Sequence, residues 1–234
     1  MERVKDGIVR VRQSRYLIDQ EKEGQGEESP YGYKWDIYLT YKSNSHNDEV
    51  KSKWFTSNDE FVQISVPSGR LNNISLPCKC LSFIMLHKSL LLLKTHCWLI
   101  TGTTWIKFNV DQKGFYRVNY SRKEWEEFIK LLETDMEILS QADRASLLND
   151  AFSLAESGHL RSSTSSGYDI PIRMTNYLRK EEGLIPWETV YKSLEKLRGL
   201  LDGTKVYPLL RKVCTNQDLI LSRKEILQEF VSNY

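Results

Sequence analysis

Between Trp105 and Tyr120 apolar and polar residues alternate: Ile106, Phe108 and Val110 against Lys107 and Asn109, then Tyr116, Val118 and Tyr120 against Arg117 and Asn119. With Asp111 to Gly114 between the two runs, the pattern predicts a β-hairpin whose loop uses Gly114 for a positive φ. Upstream, Val9 and Val11 lie on one parity and Tyr16 and Ile18 on the other, which predicts a strand over residues 8–18 with a bulge or bend in it. Trp35, Ile37, Leu39 and Tyr41 alternate with Asp36, Tyr38 and Thr40, the signature of a second strand with one buried face. Residues 53–55 and 61–66 read as a third and fourth strand around the turn TSNDE, with Val62, Ile64 and Val66 facing inward.

After Tyr120 the period changes from two to about 3.6. Ser121 and Glu124 make an S-x-x-E capping box ahead of an apolar stripe of Trp125, Phe128, Ile129 and Leu132. A second helix is predicted to start at N-cap Ser140 with Asp143 at N3, to set Arg144, Leu147 or Leu148, Ala151 or Phe152 and Ala155 on one face, and to stop at Gly158. Residues 162–167, SSTSSG, read as a polar loop. Two further helices, 171–180 and 186–201, each open with a proline and end near Gly183 and Gly203; Trp187, Val190, Tyr191, Leu194 and Leu197 form the stripe of the last. Short helices in succession predict an antiparallel array of the α-solenoid kind, continued by the helical pattern of residues 207–234.

Residues 67–104 break both periods. The stretch is rich in Leu, Ser and Cys, and its apolar core, 81–100, is interrupted by His87, Lys88, Lys94 and His96. A membrane-centre lysine costs about 2.5–3.5 kcal/mol, which argues against a spanning helix. Cys78, Cys80, His87, His96 and Cys97 form a candidate zinc set, but C-x-C and an adjacent His-Cys pair do not have the spacing of familiar structural modules. The segment reads as foreign to the fold around it, in the manner of an alternative exon.

Composition changes the picture little. The 234 residues carry 33 Lys+Arg and 31 Asp+Glu, so no electrostatic footprint points to nucleic acid or to an anionic membrane. The opening MERVKDGIVRVRQSR has no apolar core of a signal peptide and reads as an internal piece of something longer. Four cysteines, Cys78, Cys80, Cys97 and Cys214, permit disulfides without defining a framework.

WIKFNVDQKGFYRVNY from Trp105, followed by ADRASLLNDAFSLAESG from Ala142, resembles the junction between the β-sandwich and C-terminal helical domains of the gluzincin zinc aminopeptidases, the aminopeptidase N, glutamyl aminopeptidase and endoplasmic reticulum aminopeptidase group. QSRYLID from Gln13 and YKWDIYLTY from Tyr33 resemble opening strands of that sandwich, and YLRKEEGLIPW from Tyr177 resembles early helices of the helical domain. The resemblance, nearest in flavour to the glutamyl aminopeptidases, covers roughly residues 8–66 and 105–210. It implies a multidomain α and β chain: an antiparallel β-sandwich over residues 1–120, with an atypical insertion at 67–104, then the truncated N-terminal part of an α-solenoid-like domain over 121–234.

What the resemblance implies for function turns on what the chain lacks. The family's zinc site is H-E-x-x-H with a distant Glu, and its amine-binding motif is G-x-M-E-N. Both imidazoles of the first must sit four apart on one helix to reach one metal. The four histidines, His46, His87, His96 and His159, include no such pair. The implied role is therefore non-catalytic, supporting and capping the cleft of a peptidase, with zinc in the full-length family enzyme and none bound by this chain. Implied partners are the catalytic domain of the same or a related peptidase, peptide substrate in the full-length enzyme, and a second copy in a homodimer. The location would be a plasma-membrane ectodomain, extracellular or lumenal.

A rival of another class is a truncated, catalytically dead protein that pairs with a full-length aminopeptidase. A self-sufficient hydrolase ranks below both, since no paired carboxylates, Ser-His-Asp set or metal spacing stands out. The resemblance singles out Arg117, Asp143 and Arg144 as structural contacts between the domains through charge-assisted hydrogen bonds. Trp35, Trp54, Trp105, Tyr116 and Trp125 sit at strand or helix spacing, which favours core over ligand cage. Asn73 and Asn119 each begin a glycosylation sequon, Asn73 being the more accessible candidate.

Overall fold

A computed structural model describes residues 2–4, 7–18, 30–44, 49–66, 105–205 and 207–208. The sequence expectations for residues 67–104, including the candidate ligands Cys78, Cys80, His87, His96 and Cys97, lie outside these residues, as do Asn73, Cys214 and the helical pattern beyond Pro208. The protein is a mixed α and β structure with antiparallel sheets. Strands β1 (Glu2–Val4), β2 (Ile8–Val11) and β5 (Val62–Ser65) form one three-stranded sheet in the order β1-β2-β5. Strands β3 (Ile37–Ser43), β4 (Lys51–Phe55) and β6 (Ile106–Phe108) form another in the order β4-β3-β6. Register in the first sets Val9 opposite Ile64, and in the second sets Tyr41 opposite Phe108 and Lys42 opposite Lys107.

The alternation places Val62, Ile64, Val66, Leu39 and Phe55 in the core as expected. Trp35 and Trp54 depart from it. Trp35 lies before β3 with its ring exposed, its backbone clamped by Gln13, whose amide accepts from Trp35 N at 2.9 Å and donates to Trp35 O at 3.1 Å. Trp54 stands on the outer face of β4 and packs across the strand pair on Tyr38, ring centroids 5.1 Å apart.

The expected hairpin over residues 105–120 is corrected by the structure. Its first arm is β6, but residues 115–120 form no strand, and a 3₁₀ turn at Val110–Gln112 intervenes. Asn109 leaves the strand at φ 55°, and its side chain does what a ladder would have done: its amide donates to the carbonyls of Gly114 (2.9 Å) and Tyr116 (3.0 Å) and accepts from Gly114 N (2.8 Å). The positive φ values fall at Asn109, Asp111 and Gln112. Gly114 serves a close approach instead, since a Cβ there would lie 2.3 Å from the Tyr116 ring.

Helix α1 (Arg122–Asp135) opens on the complete Ser121–Glu124 capping box and buries Trp125, Phe128, Ile129 and Leu132. Tyr120 meets Trp125 and Phe128 edge-on at 5.0 and 4.9 Å, so the end of the preceding segment and the helix share one aromatic cluster. Helix α2 (Gln141–Glu156) starts at N-cap Ser140, whose hydroxyl accepts from Asp143 N at 3.1 Å, and ends before Gly158 at φ 78°. It is buried on nearly every side, so no single apolar stripe marks it.

Helix α3 (Asp169–Met174) runs into a 3₁₀ turn at Thr175–Lys180, and α4 (Leu184–Leu201) packs along α2. Both prolines, Pro171 and Pro186, sit within the first turns, as read; Gly183, expected near a C-terminus, is the N-cap residue of α4. Trp187, Val190, Leu194 and Leu197 are buried, while Tyr191 is exposed. Among the described residues no helix is long and apolar enough to cross a membrane.

Candidate functional site

Of Arg117, Asp143 and Arg144, it is Asp143 that lies where α2 meets β3 and β6. Ser140 fixes the first turn of α2, and this aims Asp143 back at the sheet. Its carboxylate is fully buried and accepts from Asp111 N at 2.8 Å, with Lys42 Nζ 3.1 Å and Lys107 Nζ 3.4 Å away. Lys42 also donates to the Ile138 carbonyl at 3.2 Å, and Lys107 donates to the Asn109 carbonyl at 3.1 Å. Ser140 completes the knot by donating to Asp111 Oδ1 at 2.7 Å. Two lysines directly opposite on neighbouring strands would repel across the ladder. Asp143 between them removes that cost, and burial still presses the Lys107 pKa below the usual ammonium value while Asp143 pulls it up.

Two turns along the same helix, Asp150 makes the second tie. It accepts from Val118 N at 3.0 Å and from Arg117 at 3.1 Å, and Arg117 also reaches Asn149 Oδ1 at 3.1 Å. Arg117 lies over the ring of Tyr16, whose hydroxyl donates to the Ser153 carbonyl at 3.0 Å. Arg144 points the other way. Its guanidinium holds Glu181 through two bonds of 2.6 and 2.8 Å and the Leu139 carbonyl at 2.6 Å, all within the helical part. So Asp143 links β3 and β6 to α2, Arg117 links the segment before α1 to α2, and Arg144 ties α2 to the entrance of α4.

Sequence reading missed Lys42, Lys107, Asp150 and Glu181. Alternation puts Lys107 outward, but α2 covers that face too, so Ile106, Lys107 and Phe108 are all buried. The available signal was the spacing of Asp143 and Asp150: seven residues apart on a helix, they share a face.

Two measurements probe these ties. Ser140→Ala removes the cap and the bond to Asp111, and should lower stability by about 1–2 kcal/mol in thermal unfolding. Burial raises the Asp150 pKa above 3.8, with Val118 N–H and Arg117 opposing. Its folded value exceeds its unfolded one, so its contribution is fully present below pH 3.8 and is lost as pH rises through the folded value. Relative to Asp150→Asn, the wild-type chain should therefore lose stability as pH rises above 3.8 in denaturant titrations, and parallel pH profiles would contradict this.

Among the described residues no three His, Cys, Asp or Glu side chains group as metal ligands. His159 stacks on Tyr16, with Nδ1 2.8 Å from Ser157 Oγ. The described residues at this site do not fit a zinc centre.

The charge knot ties the sheet β4-β3-β6 to the start of α2. Residues 105–220 match the family described as "ERAP1-like C-terminal domain". The chain is 26% identical over 213 residues to glutamyl aminopeptidase of Homo sapiens, covering 91% of this chain and 18% of that protein. It is 35% identical over 114 residues to the thyrotropin-releasing hormone-degrading ectoenzyme of Mus musculus, covering 49% of this chain and 10% of that protein. Glutamyl aminopeptidase of Sus scrofa matches at 27% over 211 residues, 88% of this chain and 18% of that protein. Over residues 105–220 the chain is thus similar to the C-terminal domain of zinc aminopeptidases, and it spans under a fifth of the length of these relatives.

Proposed function

We propose that this chain is the non-catalytic C-terminal portion of a zinc metallo-aminopeptidase that releases N-terminal residues from peptides. The two sheets form its β-sandwich module, residues 1–120, and residues 121–234 begin an α-solenoid-like domain that supports and caps the active-site cleft. Zinc is held elsewhere in the full enzyme, and the partners of this chain are the catalytic domain, the enclosed peptide and, in a dimer, a second copy. Such a lid acts by excluding water and positioning substrate. The name of the second relative, an ectoenzyme, supports an extracellular or lumenal setting.

The observation that carries the reading is the continuous family match over residues 105–220. Glutamyl aminopeptidase among the relatives favours acidic N-terminal residues as substrate. The test is the intact mass of the native protein with peptide mapping. The expected species is far heavier than 27.4 kDa and yields a peptide with H-E-x-x-H upstream of residue 1. A native 27.4 kDa species that hydrolyses aminoacyl anilides by itself would overturn the proposal.

A further inference from the structure

We propose that the sheet β4-β3-β6 and the helices α1, α2 and α4 open as one cooperative unit fastened by Asp143, although the change of period at residue 120 suggests two bodies. The consequence for a peptidase rests on the reading above: the flexing that admits peptide then takes place outside this junction. The cooperative unit itself rests on the geometry alone.

The covalent connection gives no slack. Tyr120 is buried in the aromatic cluster of α1, and the next residue, Ser121, is already the cap of that helix. One hydrophobic cluster runs without a break from Val9 and Leu39 through Phe108, Trp125 and Leu148 to Leu197. Packing of this kind has no internal surface along which two bodies slide cheaply.

The polar bonds go further, because they make the backbone of one part depend on the other. After Phe108 the chain loses its ladder, and the amides of Asp111 and Val118 are satisfied by the carboxylates of Asp143 and Asp150 on α2. Without α2 those two amides lose their acceptors, and residues 109–120 keep the bonds made by the Asn109 side chain and by Thr40 but lose their tie to the helices. The dependence also runs in reverse. Lys42, from the middle strand, donates to the Ile138 carbonyl just before α2, and Tyr16 donates to Ser153 within it. Asp143, with no exposed surface, has its counter-charges among the described residues on β3 and β6. Each part is thus completed by the other.

Hydrogen exchange of the full chain with increasing denaturant tests this. Amides of β3, β6 and α2 in the wild-type protein should follow one opening isotherm, with equal free energy and equal denaturant slope. In Lys42→Met and in Asp143→Asn, the strand amides should open more readily than those of α2 by roughly tenfold or more, as a separate subglobal unit. Two distinct isotherms in the wild type would overturn the cooperative unit even if neither variant folds. Equal weakening of both sets in the variants would overturn Asp143 as the fastener. Neither readout involves peptidase activity, so a failed mass-mapping experiment leaves this test intact.

Discussion

Asp143→Ala should cost the folded chain about 3–5 kcal/mol, read as a drop in the midpoint of denaturant unfolding, because it removes the carboxylate that stands between two buried ammonium groups. Lys107 is 2% exposed and Lys42 9%, so neither reaches water without moving a strand. The Asp111 amide loses its acceptor in the same substitution, which adds the desolvation cost of an unpaired donor. Asp143→Asn keeps an oxygen for that amide and isolates the charge. It should recover only the smaller part of the loss.

A further variant separates the value of the ion group from the penalty of breaking it. Replacing Lys42 and Lys107 by Met together with Asp143 by Leu removes all three charges, and buried ion groups exchanged for packed apolar side chains are often neutral or stabilising. Stability near wild type in the triple variant, alongside the large loss in Asp143→Ala, is the expected pattern. A single variant within about 0.5 kcal/mol of wild type would show that the junction is not held by this charge, since that is the range of an ordinary surface substitution.

How far such a knot can be read in the sequence depends on which periodicity carries it. The capping residues Ser121 and Ser140 and the stop at Gly158 were legible because each acts on neighbours within a few residues. The stripe Trp125, Phe128, Ile129, Leu132 was legible because only one face of α1 is buried. Alternation failed at Lys107 for the converse reason: covered on both faces, β6 has no outside for a polar residue to mark. It failed again at residues 115–120, where alternate apolar residues are present but the Val118 amide bonds to the Asp150 carboxylate far along the chain. Arg117, Asp143 and Arg144 were picked out by resemblance, which names positions without naming partners. Lys42 and Glu181 come near them only through the fold.

Arg144→Ala should be the other costly substitution, again about 3–5 kcal/mol, since it strands Glu181, which has no exposed surface. The guanidinium is engaged on three nitrogens: Nε and Nη2 on the two Glu181 oxygens, and Nη1 on the Leu139 carbonyl, with the Met136 carbonyl at 3.3 Å. Lysine supplies charge but not this planar fork, so Arg144→Lys should recover the lesser part of the loss. Glu181 in turn accepts from Gly183 N at 2.7 Å, the N-cap position of α4, and its carbonyl receives the Trp187 indole at 3.0 Å. Breaking the pair therefore loosens the first turn of α4, and Trp187 reports it: its fluorescence should shift to the red before the global transition in Arg144→Ala and not in wild type. Coincident fluorescence and circular dichroism transitions in the variant would mean that Arg144 fastens α2 to the whole array and not to the start of α4 alone.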